Sequence, residues 1–388
     1  MEGRAPCQGL TRRDIGKAAV AGAAGFVLAS RVLASEEAAG APAGAAAVPP
    51  EAGKPPAPKI PLRDLGKTGL KVSEISLGAM DVTDQAVVER AIDLGCTYID
   101  TSASYQGGMN EQMLGRVMKT RRKEVVLATN LGDVDASLKR LQADYVDVIL
   151  VHGAAKAADV KHPPFKEAFD KAKKAGKAGF FGFTTHHNQA EVLNACIETG
   201  YVDVVMLGYG AGAPQELTDV VKRAHDAGIG IVTMKSVQGA KGMKKAASAL
   251  TGYQLAVRAL LDRPFVDSVN VGMTSFAQLE ENLKASQAKL TAADRVMLER
   301  FAAACAATQC GRCGACRKCP RGVVPSEILR AHMYAYEYGK VDKALREFDA
   351  MGGPAMLAAC TACGRCEKNC PRRLNIRQRF AQVAKLMA

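Results

Sequence analysis

The segment Gly95-Cys96-Thr97-Tyr98-Ile99-Asp100-Thr101 places a short buried strand directly before an aspartate. Similar apolar, β-branched runs begin every 21 to 37 residues along the chain. We predict eight strands, at Ile75–Ala79, Thr97–Ile99, Val125–Thr129, Val146–Val151, Gly179–Phe183, Val202–Leu207, Ile229–Thr233 and Val266–Val271. Eight buried strands spread over about 250 residues are typical of a (β/α)8 TIM barrel, which is an α/β fold.

Helical patterns lie between the predicted strands, at Asp84–Leu94, Asn110–Met118, Pro163–Ala175, Ala190–Thr199 and Glu216–Ala227. A doubly wound open sheet is the competing architecture, and its usual signature is a G-x-G-x-x-G motif after the first strand. The sequence has no such motif there. The pattern therefore predicts a barrel over residues 60–303.

Polar residues stand at the ends of three consecutive predicted strands. Asp100 ends the second strand, Asn130 the third and His152 the fourth, and Tyr105 follows Asp100 by five residues. The carboxyl ends of barrel strands all open onto the face where such enzymes carry out their chemistry. Each residue alone is more typical of a loop cap or a satisfied core polar group, but the three together predict a site.

Eight of the twelve cysteines form two runs near the carboxyl terminus, Cys310, Cys313, Cys316 and Cys319 followed by proline, and Cys360, Cys363, Cys366 and Cys370 followed by proline. Three thiolates at this spacing bind three corners of a cubane, and a remote Cys-Pro supplies the fourth ligand. Zinc is the alternative, although zinc ribbons use separated Cys-x2-Cys pairs. The spacing favours two [4Fe–4S] clusters.

The fourth cysteine of each run in two-cluster ferredoxins binds the other cluster. This crossed pattern assigns Cys370 to the cluster of the first run and Cys319 to the cluster of the second. The intervening segments Pro325–Tyr338 and Val341–Met351 have helical patterns. We therefore predict a small α-helical dicluster ferredoxin-like domain over residues 304–388.

The barrel sequence resembles the aldo/keto reductase family across residues 60–303. The stretches that carry the resemblance are Leu65–Ser73, Gly95–Thr101, Tyr105, Glu111, Leu114-Gly115, Asp144–Asp147 running into Val151-His152, Gly272–Ser275, and Glu281-Asn282. A barrel of this family followed by a dicluster domain is itself a known architecture, which the chain resembles from end to end.

The resemblance implies roles for the polar strand-end residues. Tyr105 would protonate a substrate carbonyl, Asp100 would be its partner, and His152 would orient the substrate. The family uses a lysine to lower the tyrosine pKa, because a phenol with a pKa near 10 needs a neighbouring positive charge. Here Asn130 stands at that position, and asparagine can donate a hydrogen bond to a phenolate but brings no charge.

The resemblance also implies a nicotinamide site with several departures. Thr184-Thr185 correspond to the Ser-Asn pair that holds the nicotinamide amide, and Lys235 replaces the stacking tyrosine after strand seven. Lys235 either replaces the lost lysine or is a solvated side chain.

The resemblance places the phosphates of NADP(H) at the backbone N–H groups of Gly272, Met273 and Thr274, before the last barrel helix. Glu281 and Asn282 match positions near the adenine. Gln278 stands where a basic residue often binds the 2′-phosphate, so the preference for NADP over NAD is open.

Residues 1–34 resemble a twin-arginine (Tat) signal peptide. Arg12-Arg13 precede the apolar stretch Ala18–Ala29, and small residues follow at Val32-Leu33-Ala34. An exposed amphipathic helix is the alternative. Residues 35–59 are rich in Ala and Pro, which predicts a disordered linker. We expect a periplasmic or extracytoplasmic location, with the cytoplasm as the alternative.

The net charge of +13 is concentrated in the cysteine-rich region. Residues 306–388 contain fifteen Lys and Arg against six Asp and Glu, whereas residues 60–305 contain thirty against twenty-eight. Few aromatic residues accompany the basic ones, which argues against nucleic acid. This surface either is simply solvated or forms a docking face for a redox protein. The sequence has no apolar run long enough for a transmembrane segment.

Two functions remain open from the sequence. The first is an iron–sulfur oxidoreductase that reduces or oxidises a small carbonyl or alcohol-type substrate, with electron transfer through two [4Fe–4S] clusters. The alternative is a non-catalytic electron-transfer protein in which a degenerate barrel is a docking scaffold. The retained Asp100, Tyr105 and His152 favour the enzyme, and Asn130 and Lys235 favour the carrier.

Overall fold

A computed structural model describes residues 60–240, 243 and 250–387, so the predicted signal peptide and linker lie outside the described residues. Within these residues, eight parallel strands form a closed barrel. They are β3 (Ile75–Gly78), β4 (Tyr98–Asp100), β5 (Val126–Asn130), β6 (Val146–Ala154), β7 (Ala178–Thr185), β8 (Val204–Gly208), β9 (Gly230–Met234) and β10 (Ser268–Val271). Their order is β10-β3-β4-β5-β6-β7-β8-β9, which confirms the predicted fold.

Helices cover the outside of the barrel. They are α1 (Gln85–Asp93), α2 (Met109–Arg121), α3 (Val134–Leu141), α4 (Ala157–Val160), α5 (Pro163–Lys174), α6 (Gln189–Thr199), α7 (Gln215–Asp226), α8 (Gly252–Leu261), α9 (Phe276–Gln287) and α10 (Ala292–Thr308). An antiparallel hairpin precedes the barrel and consists of β1 (Leu62–Asp64) and β2 (Lys71–Ser73). Leu65 and Val72 of this hairpin region pack into the barrel interior and close its amino-terminal end.

Alternation along the strands explains why the polar residues face inward. Tyr98 on β4 and Ala128 on β5 lie in the interior cluster, whereas the intervening Ile99 and Leu127 pack against the outer helices. Successive side chains of a strand point to opposite faces. Asp100 and Asn130, two residues after Tyr98 and Ala128, therefore point into the carboxyl-terminal mouth of the barrel.

His152 was predicted to end the fourth barrel strand, and this boundary is wrong. β6 continues to Ala154, and its pairing with β7 becomes irregular between Val151 and Ala154. Gly153 has a φ of +74°, a conformation that glycine adopts without a steric penalty. The irregularity restores pairing between Ala154 and Thr185 and leaves the His152 side chain exposed.

The carboxyl-terminal region forms a helical domain, as predicted. It contains α11 (Pro325–His332), α12 (Val341–Ala350), α13 (Gly353–Ala359), α14 (Arg365–Lys368) and α15 (Ile376–Leu386), and a π-helical turn, Met333–Glu337, extends α11. Ile328, Phe348 and Phe380 are among the buried residues of its separate core. The predicted boundary between residues 303 and 304 falls inside α10, so one continuous helix leads from the barrel into what we call the cluster domain.

The cluster domain packs directly on the carboxyl-terminal face of the barrel. The backbone N–H of Asn188, which follows β7, donates to the carbonyl of Arg312 at 2.9 Å. The Asn188 side chain donates to Ala155 O at 2.8 Å, which fixes its orientation. Gly314 lies against this side chain so closely that a Cβ at Gly314 would overlap Asn188 Oδ1. The first cysteine run is thus held against the barrel mouth by backbone contacts.

This packing predicts different effects for two glycine substitutions in the cluster domain. Gly314 and Gly322 have φ values of +76° and +71°, but nothing lies within 4 Å of a Cβ at Gly322. Gly322→Ala should lower the free energy of unfolding by ~1–2 kcal/mol, the cost of the left-handed conformation alone. Gly314→Ala should cost more, because Asn188 must also move. Denaturant unfolding of the anaerobic holoprotein measures both, and equal losses would contradict the packing.

Candidate functional site

Asp100 and Tyr105 lie together at the barrel mouth. The Tyr105 hydroxyl donates to Asp100 Oδ2 at 3.5 Å, and Asp100 is 4% exposed. Burial raises the pKa of Asp100 to about 7. Burial and then the charge of Asp100 raise the pKa of Tyr105 well above its ordinary value. Asp100 is therefore the member of this pair that titrates near neutral pH.

Asn130 contacts His152 and not the tyrosine. Asn130 Nδ2 donates to Ser102 Oγ at 3.0 Å and lies 2.5 Å from His152 Nδ1. These two partners use the Asn130 amide nitrogen, and within the described residues no hydrogen bond joins it to the Tyr105 hydroxyl. If the amide donates, His152 Nδ1 is the acceptor and its Nε2 carries the proton, an assignment made from the hydrogen-bond pattern.

The charges around His152 keep its imidazole neutral. Partial burial, and then the positive charges of Arg330 and Lys235, lower the pKa of His152 from its ordinary value near 6.5. A neutral imidazole with a proton on Nε2 can donate a hydrogen bond to a substrate oxygen. This chemistry matches the orienting role that the family resemblance implies.

Lys235 fits neither of its two predicted roles. It follows β9 with a φ of +54°, and its Nζ lies 3.4 Å from His186 Nδ1. The same Nζ lies 5.6 Å from the centre of the Tyr334 ring, which belongs to the cluster domain. Lys235 therefore neither pairs with Tyr105 nor extends into solvent. Burial, and then the charges of Arg312 and Arg330, lower the pKa of Lys235 well below its ordinary value.

The cluster domain covers the position of the family's stacking tyrosine. The Tyr338 hydroxyl donates to the Lys235 carbonyl at 3.1 Å. Tyr334, one turn earlier, is 7% exposed and also lies 5.1 Å from Lys343 Nζ. Lys343 in turn pairs at 2.9 Å with Asp81, which follows β3. Side chains from a second domain thus occupy the space above the barrel mouth.

A hydrogen bond between His187 and Glu327 joins α11 to the segment after β7. His187 Nε2 lies 2.5 Å from Glu327 Oε1, and Glu327 Oε2 lies 3.0 Å from Arg330. Burial opposes ionisation of Glu327, but the hydrogen bond from His187 and the charge of Arg330 lower its pKa to about 2. Sequence reasoning missed His186 and His187, although two adjacent histidines directly after a barrel strand were a visible signal.

The residues expected to hold the nicotinamide amide have partners within the chain. Thr184 Oγ1 accepts from the backbone N–H of Gly153 at 2.8 Å. Thr185 Oγ1 donates to the His187 carbonyl at 3.0 Å and is fully buried. These two hydroxyl groups thus stabilise the loop after β7.

The expected phosphate and adenine positions surround the start of α9. Gly272, Met273 and Thr274 precede its N-cap, Ser275. Gln278 Oε1 accepts from the Thr274 N–H at 2.7 Å. Gln278 stands at the position expected to bind the 2′-phosphate. Its side chain therefore uses the Thr274 N–H, which was itself expected to bind a phosphate of the cofactor.

The two residues expected near the adenine also have partners. Asn282 Nδ2 donates to the Gln278 carbonyl at 2.9 Å. Glu281 Oε1 accepts from Thr251 Oγ1 at 2.8 Å. Both contacts stabilise α9 and its junction with α8.

The eight clustered cysteines surround two cavities. One cavity, of about 370 Å³, is lined by a group that we call the proximal cysteine set: Cys310, Cys313, Cys316 and Cys370. The other, of about 380 Å³, is lined by the distal cysteine set: Cys319, Cys360, Cys363 and Cys366. These are the groups that the crossed ligand pattern assigns to separate clusters.

The donor chemistry of both sets suits iron–sulfur clusters. Four thiols around a cavity match a cubane, in which each thiolate binds a different iron atom. Among the described residues, no three His, Cys, Asp or Glu side chains converge tightly enough to hold a single metal ion. A cubane does not require such convergence.

The proximal cysteine set borders the barrel mouth. A cavity of about 340 Å³, which we call the mouth cavity, is lined by His186 and Lys235 of the barrel and by Cys310, Ser326 and Arg330 of the cluster domain. Cys310 thus shares a cavity with the ionisable side chains after β7 and β9. Each set has one exposed cysteine, Cys313 in the proximal set and Cys363 in the distal set, and the distal cavity is lined by residues of the cluster domain alone.

Known proteins resemble both parts of the chain. The profile of the aldo/keto reductase family matches residues 74–251. L-galactose dehydrogenase of Arabidopsis thaliana is 30% identical over 289 residues, which cover 58% of this chain and 88% of that protein. The chain belongs to the aldo/keto reductase family. The profile of a 4Fe-4S dicluster domain matches residues 309–376. Together these matches identify an iron–sulfur oxidoreductase.

Solved structures of the family share the barrel. The holo form of an aldo-keto reductase from Bacillus halodurans superposes with a TM-score of 0.54 and 23% identity, covering 62% of this chain and 96% of that chain. An aldo-keto reductase from Klebsiella pneumoniae in complex with NADPH superposes with a TM-score of 0.54 and 20% identity, covering 62% of this chain and 94% of that chain. Among the described residues, no helix is long and apolar enough to span a membrane.

The raised pKa of Asp100 predicts the effect of restoring the family's lysine. Asn130→Lys places a positive charge near Asp100 and should lower its pKa from about 7 toward its ordinary value near 3.8. Asn130→Met, of similar length without charge, should leave the transition near pH 7. Infrared difference spectra between pH 6 and pH 8 measure the absorption band of protonated carboxyl groups. The Asp100→Asn variant shows which part of this band belongs to Asp100. Identical transitions in the Lys and Met variants would contradict this electrostatic account.

Proposed function

We propose that the barrel mouth interconverts a small carbonyl and its alcohol, using electrons that pass through two [4Fe–4S] clusters. The observation that carries this proposal is the mouth cavity, which is lined both by Cys310 and by His186 and Lys235. A cluster bound by the proximal cysteine set would lie next to the barrel mouth. Neither a barrel without clusters nor a ferredoxin without a barrel has this arrangement.

The electron count supports this reaction. Converting a carbonyl to an alcohol takes two electrons and two protons, and two clusters supply one electron each when bound. Tyr105 donates the proton that goes to the carbonyl oxygen, and Asp100 returns a proton to the tyrosine across their hydrogen bond. The second proton, which goes to the carbonyl carbon, comes from solvent water. The pKa of Asp100 near 7 suits this exchange at neutral pH. His152 holds the carbonyl oxygen.

The contacts at the mouth support electron delivery by clusters rather than by NADP(H). The Klebsiella relative binds NADPH, but here Tyr338 bonds the backbone of Lys235, at the family's stacking position. Tyr334 lies over the Lys235 ammonium, and Gln278 bonds the Thr274 N–H. A nicotinamide in this mouth would have to displace the tyrosine side chains of the cluster domain.

The surface of the cluster domain supports a redox protein as electron partner. Cys363 of the distal set is exposed, and the exposed Arg365 and Lys368 follow it in the chain. Lys318 and Arg321, which flank Cys319 of the same set, are also exposed. Positive charge around an exposed cluster site attracts an acidic partner and increases the association rate. Because Cys310 of the proximal set lines the mouth cavity, electrons would enter at the distal set.

The amino-terminal segment supports activity outside the cytoplasm. Arg12-Arg13 and the apolar stretch Ala18–Ala29 resemble a Tat signal, although Gly16 stands where a larger apolar residue is usual. The Tat route exports folded proteins, which suits clusters that are inserted before export. Free NAD(P)H is scarce outside the cytoplasmic membrane, which also favours a protein electron donor.

The alternative, a non-catalytic electron carrier, is favoured by the loss of the family's lysine at Asn130. A neutral residue there leaves Tyr105 with a pKa above its ordinary value. The two functions differ in whether the mouth residues affect substrate turnover.

Tyr105→Phe tests the enzymatic function. Turnover is measured as oxidation of reduced methyl viologen in the presence of a panel of short-chain aldehydes, ketones and 2-oxo acids. Loss of the general acid should lower turnover at least ~100-fold, while dithionite should still reduce the clusters. Tyr145→Phe is the matched control, because Tyr145 is 41% exposed and precedes β6 at the opposite face.

Full activity in Tyr105→Phe would exclude Tyr105 as the acid. The alternative result is that the wild-type protein accepts electrons into its clusters and turns over no member of the panel. That result would favour the non-catalytic electron carrier.

A further inference from the structure

A second cavity adjoins the mouth cavity on the side of β8 and α7. It has a volume of about 480 Å³, and we call it the side cavity. Lys235, Gln238, Cys310 and Arg312 line both cavities.

The side cavity is lined by basic side chains and by no acidic ones among the described residues. Lys235, Arg312 and Arg372 line it, and its wall includes no carboxylate among the described residues. None of these three has a carboxylate oxygen within 4.0 Å in the described part of the chain. Arg372 instead donates to the carbonyls of Cys305 and Gln309, and Arg312 donates to Gln238 Oε1 at 2.7 Å.

The backbone holds two of these cations in sparsely populated conformations. Lys235 and Arg312 have φ values of +54° and +53°, which are uncommon for residues with a side chain. Such conformations cost ~1–3 kcal/mol and concentrate at ligand sites. The Arg312 guanidinium also lies over Gly208, where a Cβ would overlap its Nη1. The close approach of Arg312 to β8 thus depends on a glycine.

We propose that the side cavity binds the carboxylate of a small organic acid, held by Lys235, Arg312 and Arg372 beside Cys310. The inference rests on the proposed function, since it names the substrate class of that site. Arginine pairs with carboxylates through two parallel hydrogen bonds, and a partly buried ammonium gains a counter-ion. The substrate proposed for the barrel mouth is an organic carbonyl compound, so an acidic group that reaches these basic residues would be part of an organic molecule.

Isothermal titration calorimetry of the anaerobic holoprotein tests this site. Malonate is the probe, malonamide is its neutral analogue, and inorganic phosphate is the competing anion. Malonate should bind, malonamide should give no heat of binding, and phosphate should bind more weakly than malonate. Lys235→Met should weaken malonate at least tenfold. Lys340→Met is the matched control, because Lys340 is exposed and pairs with Asp81 outside the cavity.

Three results would overturn the assignment: no binding of malonate to the wild type, unchanged affinity in Lys235→Met, or phosphate binding at least as tight as malonate. The result of this binding experiment does not depend on whether the proposed reaction is correct. Tyr105→Phe should bind malonate normally even though its turnover falls. Malonate binding together with full turnover in Tyr105→Phe would remove the proposed mechanism and leave the anion site intact.

Ser326 carries a second, independent inference. It is 4% exposed, and its Oγ has no hydrogen-bond partner among the described residues. Ser326 lines the cavity of the proximal cysteine set and also borders the mouth cavity. A buried hydroxyl without a partner costs ~1–3 kcal/mol. A sulfur atom of a cluster in the proximal cavity would satisfy this hydroxyl.

We infer that Ser326 Oγ donates a hydrogen bond to a sulfur of the cluster bound by the proximal cysteine set. A donor near the sulfurs stabilises the more negative, reduced cluster and raises its reduction potential. Ser326 would thus act through the cluster, by a hydrogen bond to sulfur, and would not bind iron itself.

Redox titration followed by EPR on the anaerobic holoprotein tests this inference. Ser326→Ala should shift the reduction equilibrium of one cluster about tenfold toward the oxidised form, which equals a decrease of ~59 mV for one electron. Ser326→Thr keeps the hydroxyl and should restore the wild-type potential. Unchanged potentials in Ser326→Ala, equal shifts of both clusters, or a Thr variant that behaves like Ala would each overturn the inference.

Discussion

The contact between the first cysteine run and the end of β7 determines how the two domains work together. Asn188 donates its backbone N–H to Arg312, and Gly314 packs against the Asn188 side chain. Because the contact is made by the backbone within the Cys310–Cys316 loop, the proximal cysteine set stays beside the mouth. The Glu327–His187 and Lys343–Asp81 pairs then fix the helices above the mouth.

This arrangement changes the electrostatics of the family's active site. The lysine that would lie beside Asp100 and Tyr105 is replaced by Asn130, and burial alone raises the pKa of Asp100 to about 7. Positive charge instead lies toward the cluster domain, at Lys235, Arg312 and Arg330. The mouth therefore has Asp100 and Tyr105 at the end of β4 and in the loop after it, and its basic residues next to the proximal cysteine set. Such a separation suits a reaction in which protons and electrons arrive from different directions.

The barrel and its inward-facing residues could be predicted because both follow local rules. Strand spacing and alternation place Asp100 and Asn130 at the mouth, and cysteine spacing indicates clusters. The irregular end of β6 could not be predicted, because it depends on pairing with β7 around Gly153. Contacts such as His187 with Glu327, 140 residues apart, depend on how the domains pack. For the same reason, the sequence left two interpretations of Lys235 open, and neither included Tyr334.

The central claim of this account is that the cluster domain has replaced the nicotinamide as the electron source at the barrel mouth. The most direct test is to add NADPH or NADH to anaerobic, cluster-loaded protein and to record cluster reduction by EPR, with dithionite as the positive control. If this replacement is right, dithionite reduces both clusters and neither nucleotide does. Reduction of the clusters by NADPH or NADH would contradict it, because a nicotinamide would then bind in the mouth and transfer electrons to the clusters.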